Sequence, residues 1–238
     1  MSAIASEPGV EPAAEHETKL VFDARLADVA ARWLGRRCAP DARHPAGRVA
    51  SIYYDTPDWR LLRDSLDGDF LKLKVRARWY CHARSGEPAG DVFLEAKYKL
   101  GARRAKVRLR AERPAEWIAR AHWNDPALVA LPRALRSEGV LVPDALVPWV
   151  EIAYLRRRFV DPSSGARIAL DHDIRAARVN PRVLPRRASF RLSRAVLEVK
   201  GAPRGLPPAL LPLALLGLRK SSFSKYGECY REVVGAIP

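Results

Sequence analysis

The sequence predicts an α+β fold: an antiparallel eight-stranded β-barrel with helices packed outside. Three observations carry the prediction. Period-two alternation of apolar and polar residues recurs about eight times in 238 residues, one parity of most of these segments is charged, and the segments come in runs joined by short turns. A barrel whose charged faces point inward and whose apolar faces are covered by helices accounts for that pattern better than an open sheet does.

The first alternating segment, 15 to 23, puts Glu15, Glu17 and Lys19 on one face, and helical spacing follows in DARLADVAARWLGRR. A strand at 49 to 55 ends in Asp55-Thr56-Pro57, which stops the strand and caps the helix DWRLLRDSL. The cleanest alternation is FLKLKVRARWY in the strand at 69 to 80. Leu71, Leu73, Val75 and Ala77 share one face, and Lys72, Lys74, Arg76 and Arg78 share the other. The turn ARSGEPAGD leads to 91 to 99, with Glu95, Lys97 and Lys99 aligned, and then 105 to 110 aligns Lys106, Arg108 and Arg110. A helical region runs from RPAEWIARAHW to about Arg136. In the strand at 149 to 160, Tyr154, Arg156 and Arg158 share a face with Ile152, which leaves Arg157 outside. The hairpin turn DPSSG leads to 166 to 173, with Arg167, Asp171 and Asp173 aligned, and 194 to 200 aligns Glu198 with Lys200. The apolar run at 206 to 218 is too short to span a bilayer and predicts a core-packing helix.

A solvated strand face ordinarily mixes charge signs, because like charges side by side repel. Four cations in succession ask for an anion, and the formal net charge of +15 points the same way. A cationic interior must be wet and must hold polyanions or metal-bound phosphate. Nucleic acid is not the expected partner, since Trp79 and Tyr98 fall on the apolar parity and do not interleave with the cations. Cys38, Cys81 and Cys229 are scattered without zinc spacing and suit a reducing, cytoplasmic setting. Residues 1–14 have neither a basic n-region nor an apolar h-region and read as a disordered tail, followed by one domain over 15–238.

Eight stretches, ETK, SIYYDTPD, KVRARWY, FLEAKYK, AYLRRRF, RIALDHDIR, VLEVK and FSKYGE, occur in an order that resembles the triphosphate tunnel metalloenzymes, and most closely the polyphosphate polymerase domain of vacuolar transporter chaperones, the VTC type. The resemblance implies an antiparallel barrel whose lumen binds a triphosphate unit with a divalent metal, Mn2+ or Mg2+. It implies that Lys19, Arg76, Arg78, Lys97, Lys106, Arg156, Arg167 and Lys225 grip phosphate. Ser224, Tyr154, Lys99 and Lys200 would add substrate contacts. Glu198 would be the metal ligand, with Glu17 as a second candidate.

The implied activity is transfer of the terminal phosphate of ATP onto a polyphosphate chain. The residue types suit it, because phosphoryl transfer rests on positioning and charge neutralisation by Lys, Arg and metal. On this reading Arg76→Ala or Lys225→Ala removes turnover and leaves folding intact, since the lumen cations repel one another. Two alternatives stand beside it. Glu15-His16-Glu17-Thr18-Lys19 fits the ExExK motif of the related CYTH branch, which implies hydrolysis of inorganic triphosphate. A polyanion-binding module without catalysis is the other. The number of inward carboxylates separates the enzymes: many favour two metals and hydrolysis, Glu198 alone favours single-metal transfer.

Overall fold

A computed structural model describes residues 17–67, 71–82, 85–100, 103–184, 189–201 and 205–234. The tail expected over 1–14, and Glu15, lie outside the described residues. The strands are β1 (Glu17–Asp23), β2 (Ala39–Pro40), β3 (Ala46–Asp55), β4 (Leu71–Cys81), β5 (Pro88–Leu100), β6 (Arg103–Arg110), β7 (Val147–Val160), β8 (Arg167–Val179), β9 (Phe190–Arg191), β10 (Arg194–Lys200) and β11 (Arg219–Lys220). The helices are α1 (Ala27–Arg37), α2 (Arg60–Leu66), α3 (Ala115–Arg120), α4 (Pro126–Ala130) and α5 (Lys225–Val234). The eight strands expected from alternation are β1, β3 to β8 and β10. The other three are two-residue pairings, too short to show a period.

All strands join one antiparallel sheet, nine of them in the order β11-β1-β10-β8-β7-β3-β4-β5-β6, with β2 pairing β7 and β9 pairing β8. The antiparallel α+β class is therefore as expected, whereas closure into a barrel by strand pairing is not found: β6 and β11 are the two edges of the described sheet. Lys106, Arg108 and Arg110 on β6 are cations of the kind that blunt an edge against further pairing. The sheet still curls on itself. Lys97 on β5 is close enough to Glu17 on β1 and Lys200 on β10 for their charges to act on its pKa. The result is a trough whose two walls face each other.

Three apolar clusters build the body. Outside the β3–β5 wall, Ile52, Val75, Trp79 and Leu94 are buried with Ile118 of α3, Leu128 of α4 and Leu135 of a short 3-10 helix. Outside the other wall, Leu20, Ile168 and Leu197 are buried with Ala30 and Leu34 of α1. The apolar run at 206 to 218 also docks there, but as a 3-10 helix (Pro208–Leu216). Its prolines withhold the N–H groups an α-helix needs, and Leu210 and Leu213 are buried while Leu211 and Leu215 are exposed.

The third cluster fills one end of the trough from inside. Phe223, Tyr226 and Cys229, at the start of α5, are buried against Val21, Tyr53, Val150, Ile152 and Val196. Beside them Asp55 does what its place before a helix predicts: its buried carboxylate accepts from the N–H groups of Leu61 and Leu62 in α2, at 2.9 and 3.1 Å.

Candidate functional site

Residues directly opposite each other in an antiparallel pair share a face, so the register shows what lines the trough. Across β6, β5 and β4, Lys106 faces Lys97, Lys97 faces Lys74, and Lys99 faces Lys72. Glu95 lies between Arg108 and Arg76, and Arg76 faces Tyr53 of β3. Across β7, β8, β10 and β1, Arg156 faces Asp171, Lys200 faces Arg167 and Glu17, and Glu198 faces Lys19.

The β7–β8–β10–β1 wall pairs its cations with carboxylates, three for Arg156, Lys225, Lys19 and Lys200. Asp171, fully buried, receives Arg156 through two hydrogen bonds of 2.5 and 2.6 Å and Lys225 at 2.5 Å. Glu198 meets the same two cations at 3.1 and 3.7 Å. Glu17 bridges Lys19 at 3.2 Å and Lys200 at 3.3 Å. Burial opposes charge on the Glu198 carboxyl, yet Lys225, Arg156 and Lys19 outweigh it and hold the pKa well below the usual range. Burial likewise lowers the Lys225 pKa, and Asp171 and Glu198 reverse this and raise it. Tyr154 sits between Lys225 and Arg156, whose charges lie 4.6 and 5.4 Å from its ring centre.

The β4–β5–β6 wall is unbalanced. Glu95 is 2% exposed and takes Arg76 at 2.5 Å, Arg78 at 3.7 Å and Arg108 at 3.8 Å. Burial would raise the Glu95 carboxyl, but Arg76 and Arg78 bring it down to about 2. Arg76 also donates to the Tyr53 hydroxyl at 3.1 Å, and Arg78 to Ser51 and Tyr154 at 3.3 and 3.4 Å. Beyond this knot, Lys72, Lys74, Lys97, Lys99 and Lys106 have no carboxylate within ion-pair distance among the described residues. Burial lowers the pKa of Lys74, and Lys19, Lys72 and Lys97 add repulsion. Lys97 is exposed to the trough yet surrounded by enough protein that desolvation, with Arg76 nearby, lowers its pKa too.

The candidate phosphate-, substrate- and metal-binding residues named from the sequence fall on the trough or its rim, apart from Glu15 of the ExExK motif, which lies outside the described residues. Arg76, Arg78, Arg156, Lys225, Lys19, Lys200, Tyr154, Glu198 and Glu17 are drawn into the ion-paired network described above. Ser224 accepts from Lys74 at 3.1 Å. Lys106 and Arg167 are exposed, the first on the edge strand and the second at the start of β8. Arg157 is exposed and faces Leu170, on the outside as its parity requires.

Four contributors escaped sequence reasoning in their actual roles. Asp171 and Glu95 read as charged positions, but their function as buried counter-ions depends on cross-strand partners. Tyr53 lies in a strand apolar on both faces, so no alternation flags it. Tyr226 donates to Asp55, a contact between chain positions 171 apart. The expectation that Arg76→Ala or Lys225→Ala spares folding does not fit this geometry, because either change removes one of the cations that compensate a buried carboxylate.

Among the described residues no group of three His, Cys, Asp or Glu side chains could enclose a metal ion. A hard divalent ion bound to phosphate needs only one or two protein carboxylates, since substrate oxygens and water supply the rest. Glu198, with 16% of its side chain exposed, and the more open Glu17 fit that shared arrangement. Asp171 and Glu95 do not, being buried and fully engaged by cations.

The sequence profile of the VTC domain matches residues 14–234. The chain belongs to the VTC domain family. No curated protein matches it. Among solved structures, this VTC domain is similar to a candidate adenylyl cyclase from Hippeastrum described as having a dominant triphosphatase activity. That match has 15% identity, covers 94% of this chain and 98% of the other, and gives a TM-score of 0.50. A candidate adenylate cyclase from Bacillus halodurans matches at 15% identity over 88% of this chain and 93% of its own, with a TM-score of 0.49. At these identities the likeness to the Hippeastrum protein speaks to the fold, an antiparallel tunnel-type sheet with helices outside. No helix among the described residues is long and apolar enough to cross a membrane.

Proposed function

We propose that this VTC domain is a metal-dependent polyphosphate polymerase that transfers the terminal phosphate of ATP onto a polyphosphate chain held along the trough. The observation that carries the reading is the run of lysines on the β4–β6 wall without carboxylate partners among the described residues, facing a wall whose Arg156, Lys225, Lys19 and Lys200 are each held by a carboxylate. Desolvated cations in mutual repulsion are stabilised by an anion with closely spaced charges, and a chain of phosphates supplies them at regular intervals. Arg76, Arg78 and Arg156, held by their carboxylates, are oriented before substrate arrives and need no rearrangement to meet phosphate oxygens. Lys97, Lys106, Lys99, Lys19, Lys200 and Arg167 extend the grip along the chain, while Lys225, Ser224 and Tyr154 hold its inner end. Glu198 would hold a divalent ion, Mn2+ or Mg2+, which would supply further charge neutralisation. The terminal phosphate of the acceptor chain is already largely ionised near neutral pH, so the site needs no strong general base.

One observation favours a second reading, hydrolysis of inorganic triphosphate. Four described carboxylates, Glu17, Glu95, Asp171 and Glu198, lie on the trough face, which is the many-carboxylate outcome, and the two accessible ones, Glu17 and Glu198, are close enough to feel each other's charge. The experiment is a turnover assay with Mn2+ or Mg2+, offering ATP and tripolyphosphate separately. Long-chain polyphosphate with matching ADP is the expected result. Free phosphate from tripolyphosphate without chain growth would replace the polymerase reading with the hydrolase one, and salt-sensitive binding without turnover would leave a binding module.

A further inference from the structure

Lys225 and Ser224 do not belong to a strand of the trough. Lys225 enters it from the first position of α5 and Ser224 from the residue before, so something must set the register of that helix against the sheet. In the first turn of α5 Tyr226 is buried, and its hydroxyl donates to Asp55 at 3.0 Å. Asp55 is itself immobilised by the N–H groups of Leu61 and Leu62, so the acceptor is fixed to α2 and the end of β3. The Tyr226 ring stacks on Tyr53 at 5.0 Å with an interplanar angle of 10°, and Tyr53 receives the Arg76 guanidinium.

A strained residue supports the same seat. Trp59 adopts φ 63°, a left-handed conformation rare for an aromatic residue. Its ring thereby lies near Tyr226 and Tyr230 of α5, at 6.4 and 4.0 Å between centroids.

We propose that the buried Asp55–Tyr226 hydrogen bond is a positioning latch that seats the first turn of α5, so that Lys225 reaches Asp171 and Glu198 while Ser224 reaches Lys74. Neither latch residue touches the charged interior. They act through Lys225, and a small displacement of a phosphate-gripping group suffices to weaken the site. The functional side of this inference rests on the phosphate-binding reading above, whereas the seating of α5 does not.

Tyr226→Phe tests it, because the ring and its stacking remain and only the hydroxyl is lost. Tripolyphosphate affinity, measured by titration calorimetry, is expected to fall about fivefold, the worth of one hydrogen bond. In the Lys225→Ala background the same change is expected to add nothing, since the latch works through that lysine. Wild-type affinity in Tyr226→Phe, or losses that add in the double variant, would overturn the proposal. Amide hydrogen exchange over residues 224–230 needs no ligand and is expected to quicken in Tyr226→Phe while α1 is unchanged. Unchanged exchange there overturns the latch whatever binds. Quickened exchange in proteins that all fail to bind tripolyphosphate supports the latch and overturns the phosphate reading instead.

Discussion

On the wall built by β7, β8, β10 and β1, Asp171, Glu198 and Glu17 share out Arg156, Lys225, Lys19 and Lys200 at 2.5 to 3.7 Å. On the wall built by β4, β5 and β6, Glu95 binds three arginines, and the lysines around that knot meet one another and neutral oxygens, Lys72 the Ser65 carbonyl and Lys74 the Ser224 hydroxyl, rather than carboxylates. Both walls are basic strands of one sheet, so the difference lies in counter-ions. The first wall is organised without substrate and can hold a guanidinium or ammonium in place for chemistry. The second stores repulsion that an anion relieves, which suits it to carrying a chain.

Breaking the balanced wall should have the largest effect. Lys225→Ala leaves buried Asp171 with one cation in place of two and, on the proposed function, removes a phosphate contact. We expect turnover to fall more than about 100-fold and stability by about 3 kcal/mol in urea unfolding. Full activity with native stability would show that the pairing of this wall is incidental.

Glu95 sharpens the comparison through pH. Its folded pKa of about 2 lies below the ordinary 4.5. The stability it contributes is therefore fully present above pH 4.5 and is lost as pH falls toward 2. Glu95→Gln should flatten that acid limb of the stability profile by on the order of 3 kcal/mol. An unaltered limb would mean that Arg76 and Arg78 do not depend on this carboxylate.

The unbalanced wall should respond in the opposite sense. Lys74→Gln with Lys97→Gln is expected to leave the unliganded protein as stable as before, or more stable by about 0.5 kcal/mol. Tripolyphosphate affinity should nevertheless drop about tenfold per lysine and become less sensitive to salt. A large loss of unliganded stability would show that these lysines are held by carboxylates in the unliganded protein. As the smallest effect, Arg157→Ala on the outer face should change activity less than about twofold and stability within about 0.5 kcal/mol.

Much of this was legible in the chain itself. In FLKLKVRARWY the strict alternation puts Arg76 and Arg78 opposite Val75 and Ala77, because successive strand side chains point to opposite faces whatever the neighbours are. The same logic placed Tyr154 and Arg156 inside and Arg157 outside. It could not show that Tyr53, in a strand apolar on both sides, faces the trough. Nor could it show that prolines would turn the 206 to 218 run into a 3-10 helix with two leucines exposed.

Sequence alone thus determined which residues share a face and that this face is cationic, since both follow from local backbone geometry and composition. Tertiary structure decided which of those cations are neutralised. Arg156 meets Asp171, Lys225 meets both Asp171 and Glu198, and Tyr226 meets Asp55 only because the order and register of β3, β7, β8 and β10, with α5 inserted at one end, bring distant segments together. Ion pairing decays over a few ångströms, so charge balance belongs to the folded arrangement and cannot be read along the chain.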